Sequence, residues 1–324
     1  MKLRVAVTGA AGFIGSNLCS DLMAQGFEVV GIDDLSAGTL ENVQPGIDFR
    51  KIDIRDERLA HHLTGCETVF HLAAKNCLLD CARNPVETAL INVAGTANVL
   101  GAMVEAGVHH IVYSDTSAEY EGITIFPSPV NAVRPLSVYA CSKRGGALVC
   151  ESVASLHRLT ATFVRYFNVY GPAQDWRRVV PPVMSAFTIQ LLSGKRPTIY
   201  GDGSKSRDFI HVDDVNSFHR MLLTEPAFRG KTYNLGSGKA HTVLDIFERI
   251  EELLRTGLSP LFKDDLPGEA QKTLADTSET LHTGWTPHVS LEEGLKRFVD
   301  YTRRRMNEGA ITASERPDLS TSIF

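Results

Sequence analysis

Tyr139 and Lys143 are the residues whose types and spacing point most directly to chemistry. They are four positions apart in a stretch that we predict to be helical, so both side chains share one helix face. A lysine ammonium favours the phenolate form, and together with a second positive charge nearby it would lower the pKa of Tyr139 toward physiological pH. Such a tyrosine can take a proton from a hydroxyl group while hydride leaves the same carbon.

A glycine-rich turn is the second informative feature. The first predicted strand runs directly into Gly9, Gly12 and Gly15 and then into a predicted helix. Glycines at this spacing permit a tight turn, close approach of the backbone to a pyrophosphate, and close packing of the helix on the strand. Asp33 ends the second predicted strand, where its carboxylate would accept from adenosine ribose hydroxyls and repel the extra phosphate of NADP. The pattern predicts NAD, whose nicotinamide would add a second positive charge beside Tyr139.

Hydroxyl side chains follow a third predicted strand, in the run Ser114-Asp115-Thr116-Ser117. In doubly wound folds, ligands bind at the carboxyl ends of the strands, so these hydroxyls would face the cofactor. We expect Thr116 to relay the proton or to hold the substrate hydroxyl against Tyr139. For Ser117 we prefer a hydrogen-bonded turn.

The elements that would position these residues alternate between apolar strands and helices. The strands are predicted at 4–8, 28–32, 48–51, 68–72, 110–114 and 161–167, and the helices at 13–25, 58–63, 85–106 and 138–157. This alternation predicts a Rossmann-like, doubly wound parallel sheet of the α/β class. The alternation of strands and helices ends after Gly171. Beyond it we predict helices at 213–223, 243–255 and 291–305, and a strand at 232–235 that returns to the main sheet.

These segments suggest two domains. We predict an NAD-binding Rossmann domain from 1–171 plus about 209–237, and a smaller C-terminal α/β substrate-binding domain from about 172–208 plus 238–305. Residues 306–324 are polar and lack a clear period, so we predict a loose tail there.

Composition excludes several classes of function. The 324 residues carry a formal net charge of −5, which argues against a nucleic-acid-binding protein because such proteins need a basic face. We find no segment that approaches the roughly 20 apolar residues needed to span a bilayer. The N-terminal apolar run is interrupted by glycines, unlike a signal peptide, so we expect no membrane association and a cytoplasmic protein. The six cysteines show no metal-type spacing, so no metal is expected.

Eight motifs occur together within about residues 3–302: TGAAGFIG (8–15), IDDLSAG (32–38), DIRD (53–56), HLAA (71–74), NVAGT (92–96), YACSK (139–143), RYFNVYGP (165–172) and TIYGDGSKSRDFIHVDDV (198–215). In this combination the chain resembles the extended short-chain dehydrogenase/reductase family, which comprises NAD-dependent nucleotide-sugar epimerases and dehydratases such as the UDP-glucose 4-epimerases. The motifs are highly specific for the family and much less specific for the reaction.

The resemblance implies roles for individual residues. It places the pyrophosphate on Gly9, Gly12, Phe13 and Ile14, the adenosine ribose on Asp33, the adenine between Asp53 and Ile54, and the cofactor channel along Ala73 and Ala74. It also places Asp34, Gly38, Leu72, Asn92, Ser114 and Tyr166 at the cofactor. Tyr139 and Lys143 would touch the nicotinamide ribose as well as act as catalysts.

The substrate side of the site is implied in the same way. The position that resembles the family's catalytic Ser/Thr, counting back four from Tyr120, is Thr116. Asn168, Tyr200 and Arg207 would hold the nucleotide diphosphate. A guanidinium suits phosphate oxygens, although a buried ion pair of Arg207 with Asp208 or Asp213 is an alternative.

The triplet Thr116-Ser117-Ala118 bears on the reaction. The family's dehydratases carry Thr-Asp-Glu there and its decarboxylases Thr-Ser-Glu, whereas Ala118 replaces that glutamate and Glu119 comes one residue late. Thr116, Tyr139 and Lys143 remain, and they suffice for reversible oxidation at C4. The leading hypothesis is therefore a UDP-sugar 4-epimerase, with hydride returned to the opposite face of the sugar.

Departures from the family pattern keep other interpretations open. Leu266 stands where an arginine usually meets the second phosphate, so Lys263, Lys272, Arg177 or Arg178 would have to replace it. Asp115 stands where a serine is usual in epimerases, and 75–77 is also unusual, so the sugar need not be that of UDP-galactose. The second hypothesis is a dehydratase, dehydrogenase or reductase that uses Asp115 as an extra acid or base. The third is a non-catalytic NAD-binding sensor.

Resemblance also implies a homodimer, through a four-helix bundle formed by 85–106 and 138–157.

Overall fold

The computed structural model describes residues 3–178, 180–265 and 269–312. The strands are β1 (Arg4–Thr8), β2 (Glu28–Asp33), β3 (Asp48–Lys51), β4 (Thr68–His71), β5 (His110–Thr116), β6 (Thr160–Tyr166), β7 (Val169–Tyr170), β8 (Thr198–Tyr200), β9 (Ser206–Asp208), β10 (Ile210–His211), β11 (Thr232–Leu235), β12 (Ala240–Thr242) and β13 (Leu261–Lys263). The helices are α1 (Phe13–Ala24), α2 (Leu59–Leu63), α3 (Leu78–Arg83), α4 (Pro85–Ala89), α5 (Thr96–Ala106), α6 (Val138–His157), α7 (Val183–Leu192), α8 (Val212–Thr224), α9 (Val243–Leu254), α10 (Ser278–Leu281) and α11 (Leu291–Asn307).

Seven parallel strands form the central sheet, in the order β11-β6-β5-β4-β1-β2-β3. Apolar cores cover both faces: α2, α5 and α6 pack on one face, and α1 and α8 on the other. The strand order reverses between β1 and β4, and in such sheets ligands bind at the carboxyl ends of the strands next to this reversal. The predicted fold class, and the return of the strand at 232–235 to the main sheet, are confirmed.

A third core lies among α7, α9 and α11, beside three two-stranded sheets that pair β10 with β7, β12 with β9, and β13 with β8. The sequence analysis missed α7, because its residues are apolar on nearly every side and lack the period that marks a surface helix. The division into two domains stays a prediction.

The predicted helix at 85–106 is built from α4, a π-helical turn (Leu90–Gly95) and α5. By length and composition Pro85–Ala106 could cross a bilayer, a possibility that the sequence analysis overlooked. In this fold the stretch packs against α2 and α6, and core helices of folded proteins pass the same test.

The first part of the predicted tail, 306–324, is folded. Helix α11 extends to Asn307, and the Ile311 side chain is buried. Of the predicted tail, residues 313–324 lie outside the described residues.

Candidate active site

The glycine-rich turn joins β1 to α1 at the reversal of strand order. Gly9 has a φ of +73°, and a β-carbon there would lie 2.9 Å from the backbone nitrogen of Ala73. A β-carbon on Gly15 would lie 2.0 Å from the Gly9 carbonyl oxygen, so only glycine permits this approach of helix to turn. Gly12 is the N-cap of α1, and glycine offers no side-chain acceptor, so the first-turn amides remain for a phosphate. This cradle fits a dinucleotide pyrophosphate, as predicted for Phe13 and Ile14, which open the helix.

The loop after β2 is hydrogen-bonded to the glycine-rich turn. The two carboxylate oxygens of Asp33 accept from the backbone amides of Ala11, at 3.0 Å, and Leu35, at 2.7 Å. Asp34 accepts from Ser36 in the same loop, and a β-carbon on Gly38 would collide with Ala11 at 2.7 Å. Asp33 therefore both shapes the loop and stands where the sequence predicts the adenosine ribose.

Two of the predicted cofactor residues have partners within the protein. The Asp53 carboxylate pairs with the Arg55 guanidinium at 2.7 Å, and the Ile54 side chain packs into the core beneath the π-helical turn. Asp53 keeps about a third of its side chain exposed, as a residue beside an adenine would.

Asn92 connects two segments of the site. Its buried amide accepts from the Lys75 amide at 2.8 Å and donates to the Lys75 carbonyl and to the Ser142 hydroxyl, each at 2.9 Å. It thus joins the loop after β4 to α6, and its place at the cofactor stays a prediction. Ala73, by contrast, follows Leu72 at the end of β4, and its amide donates to the Thr8 hydroxyl at 3.1 Å.

The N-terminus of α6 carries the predicted catalytic pair. Ser137 caps the helix by accepting from the Ala140 amide at 3.1 Å, and the Glu121 carboxylate in turn accepts from the Ser137 amide at 2.7 Å and hydroxyl at 2.9 Å. One turn later the buried Lys143 ammonium lies 4.2 Å from the centre of the Tyr113 ring. Tyr139 and Lys143 are thus held on one helix face next to the end of β5.

The expected low pKa of Tyr139 is not supplied by the protein's own groups. Burial raises the pKa of Tyr139 to about 12, although the Thr116 hydroxyl lies close enough to favour the anion. Burial also lowers the pKa of Lys143 to about 8, so desolvation acts on both members of the pair. The predicted fall of the Tyr139 pKa therefore depends on the positive nicotinamide ring, which the prediction included.

Thr116 and Asp115 end β5 with different surroundings. The Thr116 hydroxyl accepts from the Ala118 amide at 3.1 Å and faces Tyr139. The Asp115 carboxylate points into the core, where it accepts from Nε of Arg165 at 2.7 Å and from the Thr116 amide at 2.9 Å. An acid–base role for Asp115 on a sugar is disfavoured, because both of its oxygens already accept hydrogen bonds in a dry environment.

Glu119 shares that guanidinium. Its fully buried carboxylate lies 3.1 Å from Nη2 of Arg165, and burial beside Asp115 raises its pKa to about 8. The carboxylates of Asp115 and Glu119 thus share the Arg165 guanidinium. The neighbouring Tyr120 hydroxyl donates to the Asn234 side chain at 2.7 Å. The sequence analysis had set Glu119 aside and did not identify this cluster.

Ser114 and Tyr166 lie side by side at the ends of β5 and β6. The Tyr166 phenol interacts with the Ser114 side chain and with Nε2 of the buried His219 at 2.8 Å. Burial holds the pKa of Tyr166 far above its usual range, so it stays a neutral phenol. The place of both residues at the cofactor stays a prediction.

The predicted substrate residues come from neighbouring segments. Asn168 follows β6 and donates to the Asp208 carbonyl at 2.9 Å and the Thr273 hydroxyl at 3.1 Å. Arg207 lies on β9, and its guanidinium pairs with Glu269 at 3.1 Å, not with Asp208 or Asp213 as the alternative had it. Tyr200 lies on β8, which pairs with β13.

Lys205 is a cation that the sequence analysis missed. It precedes Arg207 by two residues, immediately before β9, and in an extended chain this spacing puts both side chains on one face. Its buried ammonium contacts Asp265 and, at 2.5 Å, Glu269. The i, i+2 spacing of Lys205 and Arg207 was a usable signal in the sequence.

The four residues proposed to replace the missing phosphate arginine lie on separate segments. Arg177 and Arg178 both pair with Asp175, and Arg177 also donates to the Ala37 carbonyl at 3.1 Å, beside the cofactor loop. Lys272 stacks over Phe126, and Lys263 is part of β13. Leu266 lies outside the described residues.

Residues 3–178, 180–265 and 269–312 contain no group of three or more His, Cys, Asp or Glu arranged to hold a metal ion.

Comparison with known proteins agrees with this geometry. Residues 5–236 match the model of the NAD dependent epimerase/dehydratase family. A relative, the UDP-glucose 4-epimerase of Mycolicibacterium smegmatis, is 33% identical over 314 residues, which cover 94% of this chain and 99% of that protein. The structure of UDP-glucose 4-epimerase from Thermotoga maritima with UDP-glucose has a TM-score of 0.90 at 33% identity, covering 94% of this chain and 100% of that one. UDP-glucuronic acid 4-epimerase from Bacillus cereus, in complex with UDP-glucuronic acid and NAD, has a TM-score of 0.86 at 29% identity, covering 93% and 99%.

Proposed function

From the fact that this chain belongs to the NAD-dependent epimerase/dehydratase family, we propose that it is a 4-epimerase of a UDP-sugar. The observation that carries the proposal is the end of β5, where Thr116 faces Tyr139, Lys143 lies one turn further along α6, and Ala118 replaces a catalytic carboxylate. This set can remove and restore a proton at one hydroxyl. Elimination of water by acid–base catalysis needs a further carboxylate, and the carboxylates of Asp115 and Glu119 pair with Arg165 instead.

The proposed reaction uses each residue in turn. Bound NAD would supply a reversible hydride acceptor for C4 and a positive charge near the phenol. Tyr139 takes the proton of the C4 hydroxyl, and Thr116 holds that hydroxyl against the phenol. Lys143 stabilises the phenolate electrostatically, since its ammonium extends from the same helix face one turn further on.

Epimerisation also requires the sugar to present its other face before hydride returns. Asn168 and Arg207 would hold the diphosphate while the keto-sugar rotates about it. Tyr139 then gives its proton back to the C4 oxygen, which leaves the residue ready for another cycle. Because the cofactor is regenerated in each cycle, we expect it to remain bound through purification.

The test is product analysis with UDP-glucose, UDP-glucuronic acid and UDP-N-acetylglucosamine, followed by the GDP- and dTDP-sugars. We expect one UDP-sugar to give its C4 epimer with no net NADH, and in D₂O no solvent deuterium at C4, because the hydride is returned directly. Loss of water, or NADH equal to product, would show that the dehydratase or dehydrogenase hypothesis is correct instead.

We also propose a homodimer through α4, α5 and α6. An apolar strip that is exposed in the single chain follows one side of these helices, formed by Val86, Leu90, Ala94, Ala97, Gly101 and Val104, and Leu148 and Leu156 are exposed on α6. Exposed apolar strips at helical spacing are typical of helix–helix interfaces.

This assembly leads to a prediction about Leu148. Leu148→Glu would put a charge into the proposed bundle and should shift the protein from dimer to monomer in light scattering after size-exclusion chromatography. Leu253→Glu on α9 is the matched control and should leave the mass unchanged. A wild-type protein that is monomeric at micromolar concentration would contradict the dimer.

A further inference from the structure

A compact group of opposite charges lies on the substrate side of the molecule, outside the catalytic pair. Lys205 and Arg207 are its cations, and Asp265 and Glu269 are its anions; we name this group the charge cluster. Lys205 contacts both carboxylates, and Arg207 contacts Glu269 at 3.1 Å. The cluster is electrically balanced, with two charges of each sign.

The exposure of the four side chains is unequal. The Lys205 side chain is 3% exposed and that of Arg207 12%, whereas those of Asp265 and Glu269 are 47% and 38% exposed. The two cationic side chains are therefore buried in the protein, and the two carboxylates lie between them and the solvent. Lys205 is fixed further by its backbone, because its carbonyl accepts from the Val243 amide at 2.8 Å.

The surroundings connect this cluster to the nucleotide site. Both the amide of Ser206 and its carbonyl bond to the segment that carries Thr273, and Thr273 accepts from Asn168. Arg207 and Asn168 are two residues that the proposed function assigns to the diphosphate. A β-carbon placed on Gly201, next to Tyr200, would lie 3.5 Å from the Asp265 carboxyl carbon. The carboxylates thus stand where a diphosphate held by Arg207 would approach.

We propose that Lys205 is a second cation for the substrate's diphosphate, and that Glu269 and Asp265 hold Lys205 and Arg207 until phosphate oxygens replace them. This inference rests on the proposed function, and it supplies the charge that Leu266 removes. Two cations already neutralised by two carboxylates cannot also neutralise a diphosphate, so binding must release at least one carboxylate. The exchange is feasible because both carboxylates are half-exposed and regain hydration when released.

The role of Glu269 follows from the same charge balance. Within this arrangement it competes with the ligand, so it weakens nucleotide binding. Lys205 strengthens binding because a charge-assisted hydrogen bond to phosphate is lost when it is removed. The two residues should therefore have opposite effects on one measured constant.

The experiment measures dissociation constants of UDP, UMP and uridine by calorimetry with the NAD-bound enzyme. We expect Lys205→Gln to weaken UDP binding about tenfold or more, with a smaller loss for UMP and none for uridine. Glu269→Gln should tighten UDP binding several-fold. Lys239→Gln, which removes a lysine charge from the exposed loop before β12, is the control and should bind UDP like the wild type. Thermal denaturation of each variant verifies that it is folded.

The outcomes separate this inference from the proposed function. Unchanged UDP binding by Lys205→Gln, or weaker UDP binding by Glu269→Gln, would overturn the exchange even if the wild type epimerises a UDP-sugar. If wild type binds UDP and the variants behave as expected but no sugar is epimerised, the inference stands and the proposed reaction fails. If UDP, GDP and dTDP all fail to bind the wild type, the inference is overturned.

Discussion

Replacement of Tyr139 by phenylalanine is expected to lower kcat by about 10³-fold while the protein stays folded and keeps its cofactor. The phenyl ring fills the same volume at the N-terminus of α6, and only the proton carrier is lost. Turnover of the UDP-sugar identified by product analysis measures kcat, and absorbance after denaturation measures bound NAD. Tyr301→Phe on α11 removes a phenol hydroxyl that the proposed reaction does not use and should leave kcat unchanged.

The outcome also decides between a catalyst and a sensor. If Tyr139→Phe retains turnover within tenfold of the wild type, the phenol is not the base. If neither protein turns over any nucleotide sugar yet both bind NAD, the hypothesis of a non-catalytic sensor is favoured.

Lys143 provides the electrostatic half of the same argument. Since burial raises the pKa of Tyr139 to about 12, the catalytic phenolate depends on positive charge supplied by Lys143 and by the cofactor. We expect Lys143→Met to move the rising limb of the pH–kcat profile to higher pH, because removal of a cation raises the phenol pKa. An unchanged profile would show that Lys143 does not act on Tyr139.

The sequence predicted the catalytic pair because its information is local. A separation of four residues on one helix places the side chains of Tyr139 and Lys143 on the same face, and the glycine-rich turn is likewise a continuous segment. The register of β5 and β6 is not local: it pairs Asp115 directly with Arg165, fifty residues away, and so creates the buried ion pair. No spacing in the chain reveals which strands are neighbours, so Asp115 remained a candidate acid or base.

The remaining differences have similar physical causes. The hydrogen bonds of the Asn92 amide to Lys75 and Ser142 are visible only in the folded chain, because these residues are 17 and 50 positions from Asn92 in the sequence. The pKa of Tyr139 was predicted from neighbouring charge, and the folded protein adds a desolvation that opposes this effect. Lys205 was missed because the prediction relied on the family position occupied by Leu266 and did not use the face that Lys205 shares with Arg207.

The second large effect is expected from the buried cluster of Asp115, Glu119 and Arg165. Because burial beside Asp115 raises the pKa of Glu119 to about 8, Glu119 is mainly protonated at neutral pH and Asp115 carries the charge that pairs with Arg165. A raised folded pKa means that stability is fully present below the unfolded pKa and is lost as pH rises toward 8. The free energy of unfolding should therefore fall by up to about 1.4 kcal/mol per pH unit between roughly pH 5 and pH 8. Glu119→Gln, which imitates the protonated acid, should remove this dependence.

Asp115→Asn tests the same cluster by removing the charge of the other carboxylate. When the Asp115 charge is removed, Glu119 is no longer repelled, so it can ionise and pair with Arg165 at 3.1 Å. We therefore expect a modest loss of stability, about 1–3 kcal/mol. The double variant Asp115→Asn with Glu119→Gln leaves the guanidinium buried without a carboxylate. It should lose about 3–5 kcal/mol, more than the sum of the single changes.

Chemical denaturation of the four proteins at pH 6 and pH 8 measures this cycle, and kcat measured beside it decides what Asp115 does. A residue that supports the end of β5 should change kcat less than tenfold in Asp115→Asn, because Thr116, Tyr139 and Lys143 are retained. An acid or base acting on the sugar would instead lose about 10²–10⁴ in kcat. Additive losses of stability would show that Glu119 does not take over the charge. A large loss of kcat at unchanged stability would restore the dehydratase hypothesis, because Asp115 would then be transferring a proton and not holding Arg165.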